Sequence, residues 1–113
     1  MLVAIPEFQG RVSPTFDFCH RVALWRLDAR GVHRAGHRKC NGLDSGERAP
    51  RLQSLGVEVL LCGAIGKELE EDLRSRGIAV VPGLAGEVAE VVAAYRCQAL
   101  GQQRFRMPGV DEQ

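Results

Sequence analysis

Residues 55–66 read L-G-V-E-V-L-L-C-G-A-I-G, and this stretch decides the fold. Residues 57–61 form a β-branched, apolar run of strand length, and the glycines of C-G-A-I-G allow a tight turn after it. Residues 67–76 then have helical composition, with Leu69 and Leu73 four positions apart on one face. The stretch therefore predicts a buried strand that leads through a turn into a helix.

The same order of strand and helix repeats downstream. Gly77 ends the predicted helix, residues 78–81 form a second apolar strand, and Pro82-Gly83 closes it. Two such units in succession predict parallel strands joined by right-handed crossovers. The last predicted helix has an apolar face at helical period, made by Val88, Val91, Val92, Tyr95 and Ala99.

The first half of the chain predicts antiparallel strands. Residues 2–5 are a short apolar strand that a proline ends, and residues 7–20 are a connection with room for a short extended piece. Residues 22–27 alternate along a strand covered on both faces, and residues 28–31 form a hairpin turn. The returning strand, residues 32–40, is polar, which indicates an edge position.

Residues 41–50 are polar and turn-rich, and a helix with Pro50 in its first turn is predicted to run to Leu55. The whole order, β, ββ hairpin, α, β, α, β, α, predicts an α/β fold with a five-stranded mixed sheet and helices on both faces. We expect residues 1–100 to form a single domain and residues 101–113 to be a polar, frayed C-terminal tail.

Composition limits the classes of function. The chain has 113 residues, is 45% hydrophobic and 26% charged, and carries a net charge of +1, so no strong field attracts nucleic acid or a membrane surface. No apolar run reaches the roughly 18 residues of a membrane span, and the N-terminus lacks the basic lead of a signal peptide. We therefore expect a cytoplasmic protein whose four cysteines, Cys19, Cys40, Cys62 and Cys97, stay thiols.

Two predicted connections are expected to share one edge of the sheet. Ligands of open α/β sheets bind beyond the carboxyl ends of strands, and residues 7–20 and 62–66 follow two strands that we expect to be neighbours. The second loop leads into a helix N-terminus, which favours an anionic cluster or a phosphate and lowers the pKa of a thiol such as Cys62. The alternative is that Gly63 and Gly66 only allow a tight turn and that Cys62 packs in the core.

The first loop carries candidates of its own. Cys19 and His20 are a soft metal-ligand pair that could share one metal in a loop, although adjacent strand residues point to opposite faces. A packing or surface role is the alternative for both. Asp17 either contributes to a site or accepts backbone N–H groups in a turn, and the Ser13 hydroxyl could reach a bound anion.

Other patterns carry less weight. The motif H-x3-H-x2-C, formed by His33, His37 and Cys40, lacks a fourth ligand for structural zinc, and a solvated edge strand is the simpler interpretation. The sequence has no P-loop, G-x-G-x-x-G, G-x-S-x-G or C-x-x-C motif, and its aspartates are too scattered for two-metal nuclease chemistry. No catalytic constellation is recognisable.

Four stretches stand in order over residues 2–100: V-A-I-P, R-V-S-P-T-F-D, L-G-V-E-V-L-L-C-G-A-I-G, and R-G-I-A-V-V-P-G followed by G-E-V-A-E-V-V-A-A-Y. Together they resemble the family of dinitrogenase iron–molybdenum cofactor biosynthesis proteins. The resemblance implies a ribonuclease H-like three-layer fold. It also implies a small non-catalytic protein that binds, carries or protects an iron–molybdenum or iron–sulfur type metallocluster during cofactor assembly, with cofactor-assembly or acceptor proteins as partners.

The chain departs from this family at one motif. Thr15-Phe16-Asp17 stands where members tied to the nitrogenase cofactor tend to have His-Phe-Gly. The imidazole expected to touch the cluster is absent from position 15, and the chain looks more like the S-P-x-F-D branch of the family, so the resemblance leaves a role in nitrogen fixation open.

The predicted cluster site lies between residues 13–20 and residues 62–66, with Cys19 and Cys62 as thiolate ligands. Backbone donors are expected from the turn that precedes the helix. The predicted site consists of Ser13, Asp17, Cys19, His20, Cys62, Gly63, Ala64 and Gly66. Two alternatives remain open on the same fold: a metal-free protein-interaction module, and a domain that binds a small anion at the helix start without a thiol.

Overall fold

The computed structural model describes residues 1–99 and 105–107, and within them a six-stranded mixed sheet with three α-helices. The strands lie in the order β4-β3-β1-β5-β6, with β2 beside β1. β1, β5 and β6 are parallel, whereas β3 is antiparallel to β1 and β4. The elements are β1 (Leu2–Phe8), β2 (Arg11–Val12), β3 (Arg21–Asp28), β4 (Gly31–Lys39), α1 (Ser45–Ser54), β5 (Val59–Leu61), α2 (Lys67–Ser75), β6 (Ala79–Val81) and α3 (Val88–Arg96).

The predicted count of five strands is wrong, because β2 pairs back on β1 and makes six in the described residues. Gln9 and Gly10 have positive φ values of 54° and 80°, and this reversal brings Val12 opposite Glu7. A two-residue strand is too short to give a periodicity signal. β1 also continues past Pro6, whose carbonyl still accepts a hydrogen bond from the next segment although the residue has no N–H to donate.

The two faces of the sheet carry separate apolar cores. One core packs against α1 and α2 through residues such as Leu52, Leu69 and Leu73. The other packs against α3 through Val91 and Val92. Successive residues of β1 alternate between the two cores. The prediction of helices on both faces is therefore confirmed, and β4 lies at the edge as expected. No helix in the described part of the chain has the length and apolar composition to cross a membrane.

α1 begins earlier than the sequence pattern predicted. Asp44 is its N-cap: Asp44 Oδ1 accepts from the Glu47 N–H at 3.1 Å, and Glu47 Oε1 accepts from the Asp44 N–H at 3.1 Å. This is a complete capping box. Pro50 consequently lies inside the helix, where it removes one intrahelical hydrogen bond. The pattern D-x-x-E at residues 44–47 is therefore a better indicator of the start of α1 than Pro50 is.

Part of the predicted C-terminal tail packs on the domain. Residues 101–104 and 108–113 lie outside the described residues. Phe105, however, is only 1% exposed and belongs to the core on the α3 face. Its carbonyl accepts from the Ala85 N–H at 2.9 Å, and the Met107 N–H donates to the Gly83 carbonyl at 3.0 Å. The packed domain therefore extends beyond residue 100, because an apolar side chain in a polar segment still anchors it.

Candidate functional site

The two loops predicted to share one edge of the sheet do meet there. Thr15 and Ala64 form an isolated parallel β-bridge. The Ala64 N–H donates to the Pro14 carbonyl at 2.8 Å, and the Phe16 N–H donates to the Ala64 carbonyl at 2.9 Å. This confirms that the connections following two neighbouring parallel strands, β1 and β5, converge.

Gly63 allows the close approach of the two loops. A Cβ at this position would lie 2.7 Å from the Pro14 carbonyl oxygen and 2.9 Å from that of Ser13, so no other residue fits without a backbone shift. The Gly63 carbonyl also accepts from the Gly83 N–H at 2.9 Å. Three loops are thus fixed to one another by backbone contacts, and Gly63 is buried among them. The missing side chain of Gly63 therefore allows the backbones of these loops to pack closely.

Asp17 connects the first loop to the start of α2. Its Oδ1 accepts from the Gly66 N–H at 2.8 Å, and Gly66 is the N-cap residue of α2. The carboxylate therefore lies at the positive end of the helix dipole, where the sequence predicted an external anion. Since the Ala64 N–H also has an acceptor inside the chain, both of these predicted backbone donors are already satisfied.

A cavity of about 530 Å³ opens at the start of α2. Three carboxylates and one ammonium group line it, so its charge disfavours an anionic ligand bound by the helix start alone. This weighs against the small-anion alternative. The lining residues are Asp17, Gly46, Gly66, Lys67, Glu68, Leu69 and Asp72.

Cys62 is a core residue in this structure. Its side chain is fully buried, with 0% exposure, in the core on the α1–α2 face. Burial raises the pKa of its thiol to about 12, and the charges of Glu70 and Asp17 act in the same direction. The prediction that the helix start lowers this pKa is therefore wrong, because burial disfavours the thiolate and the Asp17 carboxylate lies at the helix start.

Cys19 is also buried, at 3% exposure, and its contacts lead to Cys40 and Arg48. Arg48 Nη1 donates to the Cys19 Sγ at 3.3 Å and to the Cys19 and Phe16 carbonyls at 3.0 and 3.1 Å. The predicted joint ligation by Cys19 and Cys62 stays a prediction. In the observed conformation neither thiol is at the surface of the crevice.

The remaining predicted residues divide into surface and interior groups. His20 is exposed, and it lines a second cavity of about 420 Å³ together with Asp17 and Phe18. Ser13 is buried, and its Oγ lies 3.5 Å from the Thr15 carbonyl oxygen, which makes it part of the loop's internal bonding. Asp17 borders both cavities and lies between them.

The histidines of β4 lie close to carboxylates of other strands of the sheet. His33 Nε2 lies 3.2 Å from Asp28 Oδ1, and His37 Nε2 lies 2.8 Å from Glu7 Oε1. Cys40 is buried on the α1–α2 face. Within residues 1–99 and 105–107, no group of three His, Cys, Asp or Glu side chains is close enough to hold a metal ion. His33 and His37 are exposed on the edge strand β4 and Cys40 is buried, as the solvated-edge interpretation of the H-x3-H-x2-C motif expects.

Arg48 is the residue of this region that the sequence pattern did not reveal. It is only 4% exposed, and its guanidinium lies over the Phe16 ring at 5.8 Å from the centroid. A usable signal exists, because Arg48 precedes Ala49 and stands four residues before the buried Leu52. Once the capping box places α1, this spacing turns Arg48 toward the interior.

Comparison with known proteins adds a family context. A sequence model of the family described as "Dinitrogenase iron-molybdenum cofactor" matches residues 1–98. The chain is 30% identical over 106 residues to the FeMo cofactor biosynthesis protein NifB of Rhodobacter capsulatus. The match covers 85% of this chain but 24% of NifB, so the chain spans about a quarter of that relative's length.

Solved structures share the fold. The crystal structure of PH0822 superposes with a TM-score of 0.81 at 24% identity, covering 87% of this chain and 90% of that chain. The NMR structure of the Thermotoga protein TM1290 gives a TM-score of 0.62 at 21% identity, covering 99% and 97%. At these identities the likeness concerns the fold alone.

Proposed function

Because the chain belongs to the dinitrogenase iron–molybdenum cofactor family, we propose that it binds or carries an iron–molybdenum or iron–sulfur type metallocluster during cofactor assembly, without catalysing a reaction itself. The cluster is its cargo, received from or passed to cofactor-assembly or acceptor proteins. The similar protein NifB is a FeMo cofactor biosynthesis protein, which supports the assembly context. That the fold is of the ribonuclease H-like three-layer type is part of the same proposal.

The observation that carries this proposal is the junction of Thr15 with Ala64. It brings a surface loop segment against the start of α2 and leaves cavities of about 530 and 420 Å³ on either side of Asp17. A crevice beyond the carboxyl ends of parallel strands is where open α/β sheets bind ligands. The cavity of about 420 Å³ is lined by His20, Asn41 and Arg48 and is less acidic than the cavity at the start of α2, so a compact anionic cluster that brings its own ligands can dock there through polar contacts.

The mode of binding follows from which side chains reach the surface. Asp17, Phe18 and His20 border the crevice, so a docked cluster contacts them first. Cys19 and Cys62 are buried, and coordination by either thiol requires the loops to open. We therefore favour docking on the surface of the crevice, with thiolate ligation as the mode that the cysteine variants below would reveal.

A second candidate function is a metal-free protein-interaction module. Phe18 is 79% exposed at the tip of the first loop, which is unusual for a large apolar side chain. Aromatic side chains are enriched at the centres of protein interfaces. The burial of both predicted thiol ligands is compatible with this candidate as well.

The test is anaerobic reconstitution of the full chain, with iron and sulfide in one experiment and with isolated FeMo cofactor in another. Metal that co-elutes with the chain on gel filtration, with visible absorbance, is the expected result. His20→Ala should lower the retained metal, whereas Glu71→Ala, on the exposed side of α2, should not.

Two cysteine variants then separate the modes of binding. Retained colour in Cys19→Ala and Cys62→Ala indicates surface docking, and lost colour indicates thiolate ligation. If the unmodified chain retains no metal in either experiment, the carrier proposal is overturned. The interaction module then remains, and it predicts partner binding by the metal-free chain that Phe18→Ser weakens.

A further inference from the structure

Two cysteines meet at the open end of the β3–β4 hairpin. Arg21 and Lys39 are the last paired residues of the two strands, and just beyond them the Cys40 N–H donates to the His20 carbonyl at 2.7 Å. Cys19 and Cys40 therefore lie close together, near enough for their thiols to interact. Both belong to the core on the α1–α2 face, at 3% and 2% exposure.

Arg48 places a buried positive charge against this thiol pair. Its Nη1 lies 3.3 Å from the Cys19 Sγ, and its side chain is almost completely buried. Within residues 1–99 and 105–107, Arg48 forms no ion pair with a carboxylate, and its Nε has no hydrogen-bond partner. A buried guanidinium without a carboxylate counterion stabilises a thiolate beside it.

The pair favours one thiolate but not two. The guanidinium of Arg48 lies against the Cys19 Sγ, and its charge favours ionisation of either cysteine. A second negative charge beside the first is disfavoured in the buried core. One cysteine of the pair can therefore attack as a thiolate, while the other stays a neutral thiol that reacts afterwards.

A small reagent can approach the pair from one side. The cavity of about 420 Å³ is bordered by Phe18 and His20, which flank Cys19 in the chain, and by Asn41, which follows Cys40. All three flanking residues are exposed. A local shift of these short segments therefore opens the pair without unfolding of the sheet.

We infer that Cys19 and Cys40 form a redox-active dithiol, which a low-molecular-weight disulfide oxidises to an intramolecular disulfide. The thiolate of one cysteine attacks one sulfur of the reagent RSSR, which forms a mixed disulfide and releases RS⁻. The other cysteine then gives up its proton, and its Sγ attacks the Sγ of the first and releases the second RS⁻. The two thiol protons convert both RS⁻ ions to RSH. The protein loses two electrons, and the reagent disulfide gains them.

The dithiol is linked to the loop of the proposed crevice but does not depend on a metal. Arg48 holds the carbonyls of Phe16 and Cys19 with the same Nη1 that contacts the Cys19 thiol. A disulfide would tie the end of this loop covalently to the residue after β4. Oxidation therefore changes the contacts of Arg48 and restricts the opening of the loop.

The test uses the full, metal-free chain in a Cys97→Ser background, which removes the exposed cysteine. The reduced protein is incubated with excess oxidised glutathione, quenched in acid and alkylated after unfolding. We expect a mass lower by two hydrogens, two thiols protected from alkylation, a Cys19–Cys40 linked peptide, and full reversal by a reductant. Cys62→Ala in the same background is the matched control and should react in the same way.

Two further variants separate the steps. Cys19→Ser and Cys40→Ser should each fail to form the intramolecular disulfide, and the variant that keeps the attacking cysteine should stop at a glutathione adduct on it. The linked-peptide map of the Cys97→Ser chain decides the matter even if a variant fails to fold. Three thiols that stay free in the folded chain, or a bridge that includes Cys62, would overturn the inference. Metal retention has no part in this readout, so the carrier proposal can fail without affecting it.

Discussion

The Asp17 carboxylate accepts a 2.8 Å hydrogen bond from the Gly66 backbone N–H, which joins two loops that are 49 residues apart in the chain. Gly66 begins α2, so the first loop supplies the negative group at the start of a helix that follows the second loop. The crevice between the loops is therefore held in part by one side chain whose removal can be measured.

Asp17→Ala should lower the free energy of unfolding by about 1 kcal/mol, because it leaves the Gly66 N–H without its acceptor and removes a charge from the helix start. Asp17→Asn keeps an acceptor oxygen and should lose roughly half as much. Urea denaturation measures both, with Glu71→Ala as the control in α2. Equal losses in the two Asp17 variants would show that the charge alone stabilises this contact.

Three glycine-to-alanine variants should differ in a fixed order. Gly63→Ala should be the worst, with a loss of about 2–3 kcal/mol, because its Cβ would meet backbone oxygen at 2.7 Å. Gly66→Ala should cost less, since the atom it would meet at 2.8 Å belongs to the Asp17 side chain, which can move. Gly46→Ala, in the first turn of α1, meets only a 3.5 Å contact and should stabilise by up to about 1 kcal/mol.

Thermal and urea unfolding of these variants give the ranking. Gly46→Ala is the internal control, because it makes the same chemical change at a helix position with space. A Gly63→Ala protein as stable as Gly66→Ala would contradict the close packing of the three loops.

The sequence predicted the elements whose signals are local and long enough to repeat. The apolar runs of β5 and β6 and the periodic face of α3 are of this kind, and so is the convergence of the loops after β1 and β5. β2 was missed because a two-residue strand has no period. The predicted start of α1 is too late, because the Asp44–Glu47 capping box begins the helix and Pro50 does not mark its first turn.

The site was predicted less well, since burial is a property of the whole fold. Cys62 follows a strand and precedes a helix, and that position alone does not show that its thiol turns into the core. Cys19 interacts with two residues that are distant in the sequence. Cys40 lies across a hairpin from it, and the orientation of Arg48 depends on where α1 begins. One alternative for Asp17 was that it accepts backbone N–H groups of its own turn; it does accept a backbone N–H, but the donor belongs to the other loop.

Arg48→Met should destabilise the chain by roughly 2–4 kcal/mol, because the carbonyls of Phe16 and Cys19 would lose their buried donor. Arg48→Lys should be intermediate, since one ammonium group keeps the charge but cannot reproduce the geometry of the guanidinium. Arg51→Met, at an exposed position of the same helix, should stay within about 0.5 kcal/mol of the unmodified chain. Urea denaturation at neutral pH compares the three. A neutral effect of Arg48→Met would mean that the guanidinium contributes no net stability.

The buried thiol of Cys62 should make stability fall at alkaline pH. Its pKa is raised from 9.0 to about 12 by burial, so the unfolded chain loses a proton above pH 9 that the folded chain keeps. The contribution of the Cys62 thiol to the free energy of unfolding is therefore fully present below pH 9 and is lost as the pH rises toward 12. Cys62→Ala should cost about 1 kcal/mol at neutral pH through the space it leaves. Above pH 9 that difference should shrink by roughly 1.4 kcal/mol per pH unit.

Urea denaturation of both proteins under reducing conditions, from neutral pH to about pH 10, measures this difference directly. Iodoacetamide should leave Cys62 unmodified in the folded chain and react with it after unfolding, since only the thiolate is nucleophilic and the side chain is 0% exposed. A stability difference that stays constant with pH, or alkylation of Cys62 at the rate of the exposed Cys97, would show that the thiol opens to solvent. In that case Cys62 would return as a candidate ligand at the crevice.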